Sequence, residues 1–329
     1  MRRRVLLFTG PRAVALREEA LPPPGPGHVL VRTTLSAVSA GTELLLWRGE
    51  MPADLPADET IGALAGRLAY PLAYGYAAVG AVAAVGPGVA DDWLDRRVFA
   101  FQPHADAFLA EPATLLPLPD GVAPEEAVFL ANMETAVNLL LDGAPLLGEG
   151  VVVLGQGVVG LLTTALLARL PLAALVTADA LPRRRAWGLA MGAQASLDSA
   201  PPDLPARLRA ALAGAATGDG ADLAYELSGN PAALDAAIAA TGYGGRVVIG
   251  SWYGTKRAAL DLGGGFHRSK LHLIASQVSR LAPALTGRWT LARRLAAAWA
   301  LLPQVRPARL ITHRVPIERA ADAYSLLDQ

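Results

Sequence analysis

Three glycines, Gly155, Gly157 and Gly160, are spaced as Gly-x-Gly-x-x-Gly directly after the apolar run Val151–Leu154. In a strand-to-helix turn the first glycine permits the tight turn, the second lets a pyrophosphate approach the backbone, and the third lets helix and strand pack closely. Amides at the start of the following helix then hold the phosphates. The alternative is a tight turn in a protein that binds nothing. We predict dinucleotide binding by Gly155, Gln156, Gly157, Val158, Val159 and Gly160.

An acidic residue about 20 positions further along supports the binding interpretation. Asp179 stands there, after the apolar run Ala173–Thr177. Its carboxylate can accept hydrogen bonds from ribose hydroxyls and would repel a 2′-phosphate, which favours NAD(H). Arg184 follows in a run of three arginines and either holds a 2′-phosphate or lies on the solvated face of a helix. NADP(H) therefore remains a second candidate cofactor.

The surrounding elements alternate between short apolar strands and helices. Six strands joined by helical crossovers predict an α/β fold with a doubly wound parallel sheet and the ligand at the carboxyl ends of the strands. The predicted strands are 151–154, 175–177, 195–197, 221–227, 246–250 and 271–278, and the predicted helices begin at Val158, Pro182, Leu204 (ending at Ala215) and Pro231.

The residues before about 122 differ from this alternating pattern. Short apolar segments separated by Gly/Pro turns predict a largely antiparallel, barrel-like domain. After Pro283, a helix at Trp289–Leu302 and the segments 309–315 and 317–327 are expected to return to that first domain. The predicted domains are 1–122, 123–282 and 283–329, and the strands of the first are Val5–Phe8, His28–Thr34, Ala77–Val85, Arg97–Phe101 and Ala107–Ala110.

Composition narrows the functional class. The chain has 29 basic and 29 acidic residues, so its charge favours neither nucleic acid nor an anionic membrane surface as partner. It has no cysteine, which excludes disulfides and thiolate metal sites. No uncharged apolar run reaches the length of about 18 residues expected of a membrane span. We expect a cytoplasmic protein acting on a small molecule.

Several landmarks together resemble the medium-chain dehydrogenase/reductase superfamily over essentially the whole chain. They are Ser36-Ala37-Val38-Ser39-Ala40-Gly41-Thr42-Glu43, Trp47-Arg48-Gly49, Gly75-Tyr76-Ala77, Glu134-Thr135-Ala136 and the glycine turn. The resemblance implies a GroES-like β-barrel-type catalytic domain and a Rossmann dinucleotide-binding domain. The pattern Ser-x-x-Ser-x-Gly-Thr-Glu is most similar to the branch that contains bacteriochlorophyllide dehydrogenases and proteins labelled zinc-binding alcohol dehydrogenases.

The positions of the family's zinc ligands carry other residues here. The resemblance places Ser39 near the position of a cysteine ligand, Tyr76 at that of a histidine and Asn132 near the third ligand. Catalytic zinc needs nitrogen, thiolate or carboxylate ligands, which a serine, a tyrosine and an amide do not provide. We therefore expect no zinc and no other bound metal.

Without a metal, a positioned hydroxyl or imidazole must stabilise or protonate the developing alkoxide. Tyr76 can donate to the carbonyl oxygen, or its ring fills the vacated metal pocket. His104 either relays a proton or is a surface-loop histidine. Glu43 orients a donor, takes a proton or caps the following helix. Ser39 is the fourth catalytic candidate, near nicotinamide C4.

Further contacts follow from the resemblance. Thr42, Trp47 and Asn132 are expected near the substrate, and Thr135 beneath the nicotinamide. Glu134, costly if buried unpaired, either has a partner such as an arginine or lines the substrate cleft. The remaining candidates follow two predicted strands: Ser228 and Gly229 follow 221–227, and Ser251, Trp252 and Tyr253 follow 246–250. The aromatic rings of Trp252 and Tyr253 either stack on the cofactor or substrate or pack against the protein.

The sequence thus predicts a zinc-independent NAD(P)(H)-dependent oxidoreductase acting on an alcohol or a carbonyl. The alternatives are an enone or quinone double-bond reductase and a non-catalytic dinucleotide-binding protein. By resemblance, we expect a homodimer paired through 271–278, and a natural chain that continues with one more strand after Tyr324–Leu327.

Overall fold

The structure is a computed structural model that describes residues 1–213 and 219–329. Two compact units are present, residues 1–131 with 302–329 and residues 132–301. The domain bounds at 122/123 and 282/283 remain a prediction from the sequence. Two helices lie near the limits of these units, α3 (Leu130–Gly143) and α8 (Leu291–Val305).

The first unit contains two antiparallel sheets. Their strand orders are β2-β1-β4 and β7-β3-β5-β6-β8. The predicted strands are present here, whereas β2 was not predicted because its residues are mostly charged or exposed. The strands are β1 (Arg2–Gly10), β2 (Ala13–Ala20), β3 (Val29–Ser36), β4 (Leu72–Ala73), β5 (Ala78–Val85), β6 (Arg97–Ala100), β7 (Ala107–Ala110) and β8 (Leu116–Pro117), with helices α1 (Ala40–Arg48), α2 (Pro124–Ala127) and α9 (Ala320–Leu327).

The C-terminal helix α9 packs into the core of this first unit. The ring of Tyr324 is fully buried. It stacks on Trp47 at a centroid distance of 5.5 Å and meets the edge of Phe8 at 5.1 Å. Since Phe8 lies on β1 and Trp47 on α1, this aromatic cluster joins the two ends of the chain.

The second unit has one parallel sheet of six strands, in the order β11-β10-β9-β12-β13-β14. This confirms the predicted doubly wound fold, in which ligands bind where the strand order reverses, here between β9 and β12. The strands are β9 (Gly150–Leu154), β10 (Ala174–Asp179), β11 (Ala195–Asp198), β12 (Ala221–Glu226), β13 (Thr241–Ile249) and β14 (His272–Ala275), and the remaining helices are α4 (Val158–Leu167), α5 (Pro182–Ala190), α6 (Leu204–Leu212) and α7 (Pro231–Ala240).

Two details of the second unit differ from the prediction. The connection from β13 to β14 contains a short π-helical turn, Leu262–Phe266, in place of a helical crossover. The predicted strand 271–278 is shorter, because only His272–Ala275 pair with β13. The predicted end of the third helix, Ala215, lies outside the described residues. Within the described ranges, no helix is both long and apolar enough to cross a bilayer.

Candidate active site

The three glycines form the turn between β9 and α4, and each meets a different constraint. Gly155 has φ +93° and lies so close to the next strand end that an added Cβ would be 2.6 Å from the Ser228 Cα. A Cβ on Gly160 would lie 1.9 Å from the Gly155 carbonyl oxygen. At Gly157, by contrast, a Cβ would meet no atom of the described residues within 4 Å. The middle glycine therefore faces open space, as the approach of a phosphate requires.

Helix α4 begins immediately after Gly157, and no side chain caps its N-terminus. The first amides of an α-helix have no intrahelical acceptor, and they carry the positive end of the helix dipole. Val158 and Val159, in this first turn, can therefore offer backbone N–H groups to an anion. The residues of the turn fit a dinucleotide pyrophosphate.

Asp179, at the end of β10, is tied to the same turn. Its Oδ2 accepts a hydrogen bond from the Gln156 amide at 2.7 Å, and its Oδ1 accepts one from Leu181 at 2.9 Å. Arg184 keeps its guanidinium 3.9 Å from the same carboxylate with about half of its side chain exposed. Each carboxylate oxygen retains further acceptor capacity for a ribose hydroxyl.

The Gln156 side chain, in contrast, points into the protein. It is fully buried, donates to the Gly155 carbonyl at 3.1 Å and accepts from the Thr164 hydroxyl at 3.1 Å. Gln156 thus braces the turn, and a bound dinucleotide would meet the backbone of this residue only.

The two predicted strand-end loops are joined by a residue that the sequence analysis did not single out. Glu226, fully buried at the end of β12, accepts from the Ser228 amide at 2.8 Å and from the hydroxyls of Ser228 and Tyr253. Ser251 accepts from the Gly229 amide at 2.9 Å. Burial, followed by the nearby Glu226 carboxylate, raises the pKa of Tyr253. Trp252 is 42% exposed and leaves its ring available. An acidic residue at the carboxyl end of a buried strand was the available signal for Glu226.

In the first unit, three of the predicted residues form a cluster of hydroxyl groups. The half-buried Tyr76 donates to the Ser39 hydroxyl, and its oxygen lies 3.4 Å from the Thr42 hydroxyl. Burial raises the pKa of Tyr76, although its hydrogen bonds to Ser39 and Thr42 oppose this. The phenol therefore remains protonated at neutral pH and can act as a hydrogen-bond donor.

A second group in this unit is built around Glu43, which is fully buried. Its Oε1 accepts from the Ser39 amide at 2.7 Å, and its Oε2 accepts from His104 Nε2 at 3.0 Å and from the Tyr324 hydroxyl. The Glu43 carboxylate therefore satisfies the Ser39 amide at the N-terminus of α1 and also holds two further donors, His104 and Tyr324. His104 is 3% exposed and is therefore not on a surface loop.

Burial by itself would raise the pKa of Glu43. The charge of His104 and the hydrogen bonds from His104, Tyr324 and the Ser39 amide outweigh the effect of burial, so the pKa is lowered. Burial and the Glu43 carboxylate together raise the pKa of Tyr324. Tyr324 was not identified from the sequence, because its contact with Glu43 spans 281 residues and no local pattern specifies it.

The remaining predicted substrate contacts are placed largely in the interior. Trp47 is 4% exposed, and its indole donates to Asp328 at 3.2 Å, so the structure uses Trp47 in packing. In the second unit, Glu134 accepts from the buried guanidinium of Arg294 at 3.0 and 3.1 Å. Burial raises the pKa of Glu134, with Arg294 opposing. Asn132 is buried in the same unit, and Thr135 lies on the same helix, α3.

The residues at the zinc-ligand positions do not suit zinc. Ser39 and Tyr76 are hydroxyl groups that hydrogen-bond each other. Across residues 1–213 and 219–329, no three His, Asp or Glu side chains are grouped so as to hold a metal ion. Hydroxyl groups and an amide are not the ligands that zinc prefers.

Comparison with known proteins supports the architecture. A sequence profile described as "Zinc-binding dehydrogenase" matches residues 158–290. The uncharacterized zinc-type alcohol dehydrogenase-like protein YphC of Escherichia coli K12 is 28% identical over 232 residues, 68% of this chain and 60% of that protein. The 2-desacetyl-2-hydroxyethyl bacteriochlorophyllide A dehydrogenase of Rhodobacter capsulatus is 40% identical over 52 residues, 16% of this chain and 17% of that protein. The matches thus span less than two thirds of either relative.

Solved structures share the complete fold. A short chain alcohol dehydrogenase from Escherichia coli CFT073 in complex with NADH has a TM-score of 0.78 at 18% identity, covering 99% of this chain and 96% of its own. A zinc-binding dehydrogenase from Sinorhizobium meliloti 1021 bound to NADP has a TM-score of 0.76 at 20% identity, with the same coverage of 99% and 96%. These similarities confirm the predicted pairing of a GroES-like and a Rossmann domain.

Proposed function

Because this chain belongs to the medium-chain dehydrogenase/reductase superfamily, we propose that it is a zinc-independent, NAD(P)(H)-dependent oxidoreductase. It transfers a hydride between nicotinamide and an alcohol or carbonyl substrate. The observation that carries this proposal is the glycine turn, in which Gly155 and Gly160 are packed against backbone while Gly157 faces open space. A turn that only changed chain direction would not need the middle glycine.

Bound nicotinamide dinucleotide would supply or accept the hydride. The amides at the start of α4 would hold its pyrophosphate, and Asp179 would accept hydrogen bonds from the adenosine ribose. The Gln156 and Leu181 amides fix the Asp179 carboxylate at the edge of the turn. We propose NAD(H) as the preferred cofactor, since a 2′-phosphate would have to approach this carboxylate.

Arg184 is the feature that keeps NADP(H) a weaker second cofactor. Its exposed guanidinium is close to Asp179 and can turn towards a phosphate. Competing titrations with NADH and NADPH measure the preference. Tighter binding of NADPH than of NADH would contradict the assignment to Asp179.

We propose that the hydroxyl cluster of Tyr76, Ser39 and Thr42 binds the substrate oxygen in place of a metal. Tyr76 carries the proton that a carbonyl oxygen needs as it becomes an alkoxide, and the Ser39 hydroxyl accepts from it in the free protein. A preorganised donor aimed at developing negative charge is among the strongest contributions an enzyme makes. Glu43 positions this cluster by holding the Ser39 amide.

A substrate panel tests the proposal. Purified protein with NADH is assayed against ketones, aldehydes, enones and quinones, and with NAD against alcohols. Turnover of carbonyls or alcohols supports the proposal. Turnover of enones or quinones alone would indicate a double-bond reductase, and dinucleotide binding with no turnover would indicate a non-catalytic protein.

We further propose a cytoplasmic homodimer, which analytical ultracentrifugation and fractionation can check.

A further inference from the structure

Ser36, His104 and Glu43 form a line of hydrogen bonds that meets the hydroxyl cluster at the Ser39 amide. The Ser36 Oγ lies 2.8 Å from His104 Nδ1, and His104 Nε2 lies 3.0 Å from Glu43 Oε2. Ser36 is the last residue of β3 and is exposed, whereas His104 and Glu43 are buried. The buried pair of Glu43 and His104 is thus hydrogen-bonded to the side chain of an exposed serine.

The chemistry of these groups determines where the protons are. The Glu43 carboxylate receives hydrogen bonds from the Ser39 amide, the Tyr324 hydroxyl and His104 Nε2, and an ionised carboxylate only accepts hydrogen bonds. In the neutral imidazole, His104 Nε2 must therefore carry the proton, which leaves a lone pair on Nδ1. The Ser36 hydroxyl then donates to Nδ1. This is the arrangement in which a histidine acts as base towards a serine and a carboxylate orients the histidine.

The two buried members are held by several elements. The Ser39 amide, at 2.7 Å, and the Tyr324 hydroxyl fix the Glu43 carboxylate from α1 and α9. The His104 ring lies close to Gly75, where an added Cβ would be 2.7 Å from its Cδ2. The His104 backbone also donates to Tyr74 at 3.1 Å and accepts from Leu6 at 2.9 Å. The base is therefore preorganised before any substrate arrives.

We propose that Ser36 is an activated nucleophile that accepts acyl groups from small esters with good leaving groups, such as p-nitrophenyl acetate. The Ser36 Oγ bonds to the ester carbonyl carbon while its proton passes to His104 Nδ1. The bond to the phenolic oxygen breaks, and that oxygen takes the proton from His104. Water then attacks the acetyl-serine, giving one proton through His104 back to Ser36 and releasing acetic acid. No nicotinamide takes part, so this activity is independent of the proposed dehydrogenase reaction.

Active-site labelling tests the proposal on the full chain. A fluorophosphonate probe is added to the wild type and to Ser36→Ala, Glu43→Gln and the control Ser325→Ala, which removes an exposed serine on α9. Adducts are located by intact mass and peptide mapping, and p-nitrophenol release is followed in parallel. Ser36→Ala removes the hydrogen bond to His104 Nδ1 but changes a small side chain at an exposed position, so its fold should be retained.

We expect one adduct, at Ser36, formed at least about tenfold faster than at Ser325 and slowed at least about tenfold by Glu43→Gln. Ser36→Ala should abolish both the adduct and the release of p-nitrophenol, whereas Ser325→Ala should change neither. Absence of a Ser36 adduct, labelling no faster than at Ser325, or a rate unaffected by Glu43→Gln would each overturn the proposal.

Discussion

At the scale of single residues, the proposed reduction depends on a phenol that remains protonated. Replacing Tyr76 by Phe removes the donor and keeps the ring, so we expect kcat/KM for carbonyl reduction to fall about 10²-fold while NADH affinity is unchanged. Tyr74→Phe is the matched control, because Tyr74 is buried and its ring meets that of Tyr76 edge-on at 6.2 Å. Steady-state kinetics and NADH titration measure both. Equal losses in the two variants would argue against Tyr76 as donor.

The pH dependence of Tyr76 follows from its raised pKa. A phenol donates only below its pKa, and burial moves the pKa of Tyr76 above the ordinary value of about 10. Carbonyl reduction should therefore show no loss assignable to Tyr76 as pH rises from 7 to about 10. A pH profile of kcat/KM in which the wild type declines below about pH 9 and Tyr76→Phe does not would contradict this assignment.

Glu43 makes a second prediction about pH, this time for stability. Its folded pKa lies below the unfolded value of about 4.3, so its contribution is complete above that value and is lost as pH falls through the folded pKa. Glu43→Gln leaves buried donors poorly matched and should lower the free energy of unfolding by about 1–3 kcal/mol at pH 7.

Urea denaturation at pH 7 and at about pH 3.5 measures this difference, which should shrink at the lower pH. A wild-type advantage that is equal at both pH values would show that the Glu43 charge does not stabilise the fold. The loss at pH 7 is smaller than the 5–15 kcal/mol typical of a domain, so the variant should remain folded.

At the scale of elements, two glycines of the same turn should differ in their effects on folding and on cofactor binding. Gly157 has φ −70°, a value open to alanine, and faces open space. Gly157→Ala should therefore keep its melting temperature but weaken NADH binding at least about tenfold, because the methyl group occupies the path of the pyrophosphate.

Gly160→Ala should do the opposite, since its Cβ would strike the Gly155 carbonyl and destabilise the packing of α4 on β9. Calorimetry and NADH titration on the two variants distinguish them. Wild-type NADH affinity in a fully folded Gly157→Ala protein would show that no phosphate approaches this residue.

The sequence predicted the elements whose pattern is local. The buried strand Gly150–Leu154, the glycines and Asp179 lie within one strand-turn-helix-strand unit, so spacing alone placed them. The family resemblance singled out Ser39, Glu43 and Tyr76, which are joined by hydrogen bonds in the structure, while their catalytic roles stay predictions. Contacts between distant segments could not be predicted from the sequence. Glu134 pairs with Arg294, which is 160 residues away, and Glu43 pairs with Tyr324, which is 281 residues away. The charged strand β2 lacks the apolar alternation that would reveal it.

At the scale of the whole molecule, the first unit is assembled from both ends of the chain. Tyr324→Ala would leave a cavity against Phe8 and Trp47 and remove the hydrogen bond from the Tyr324 hydroxyl to Glu43. We therefore expect the free energy of unfolding to fall by about 3–5 kcal/mol. Hydrogen exchange should then lose protection in β1 and α1 while β9 and α4, in the other unit, keep theirs. Uniform loss of protection in both units would show that they unfold as one.

If hydroxyl groups take the place of zinc in a nicotinamide-dependent enzyme, removal of metal should leave its activity intact. Protein dialysed against a strong chelator is assayed for NADH-dependent carbonyl reduction while its zinc content is measured by mass spectrometry. We predict far less than one zinc per chain, full activity, and no gain in activity when zinc is added back. Activity that disappears with the metal and returns with stoichiometric zinc would contradict it.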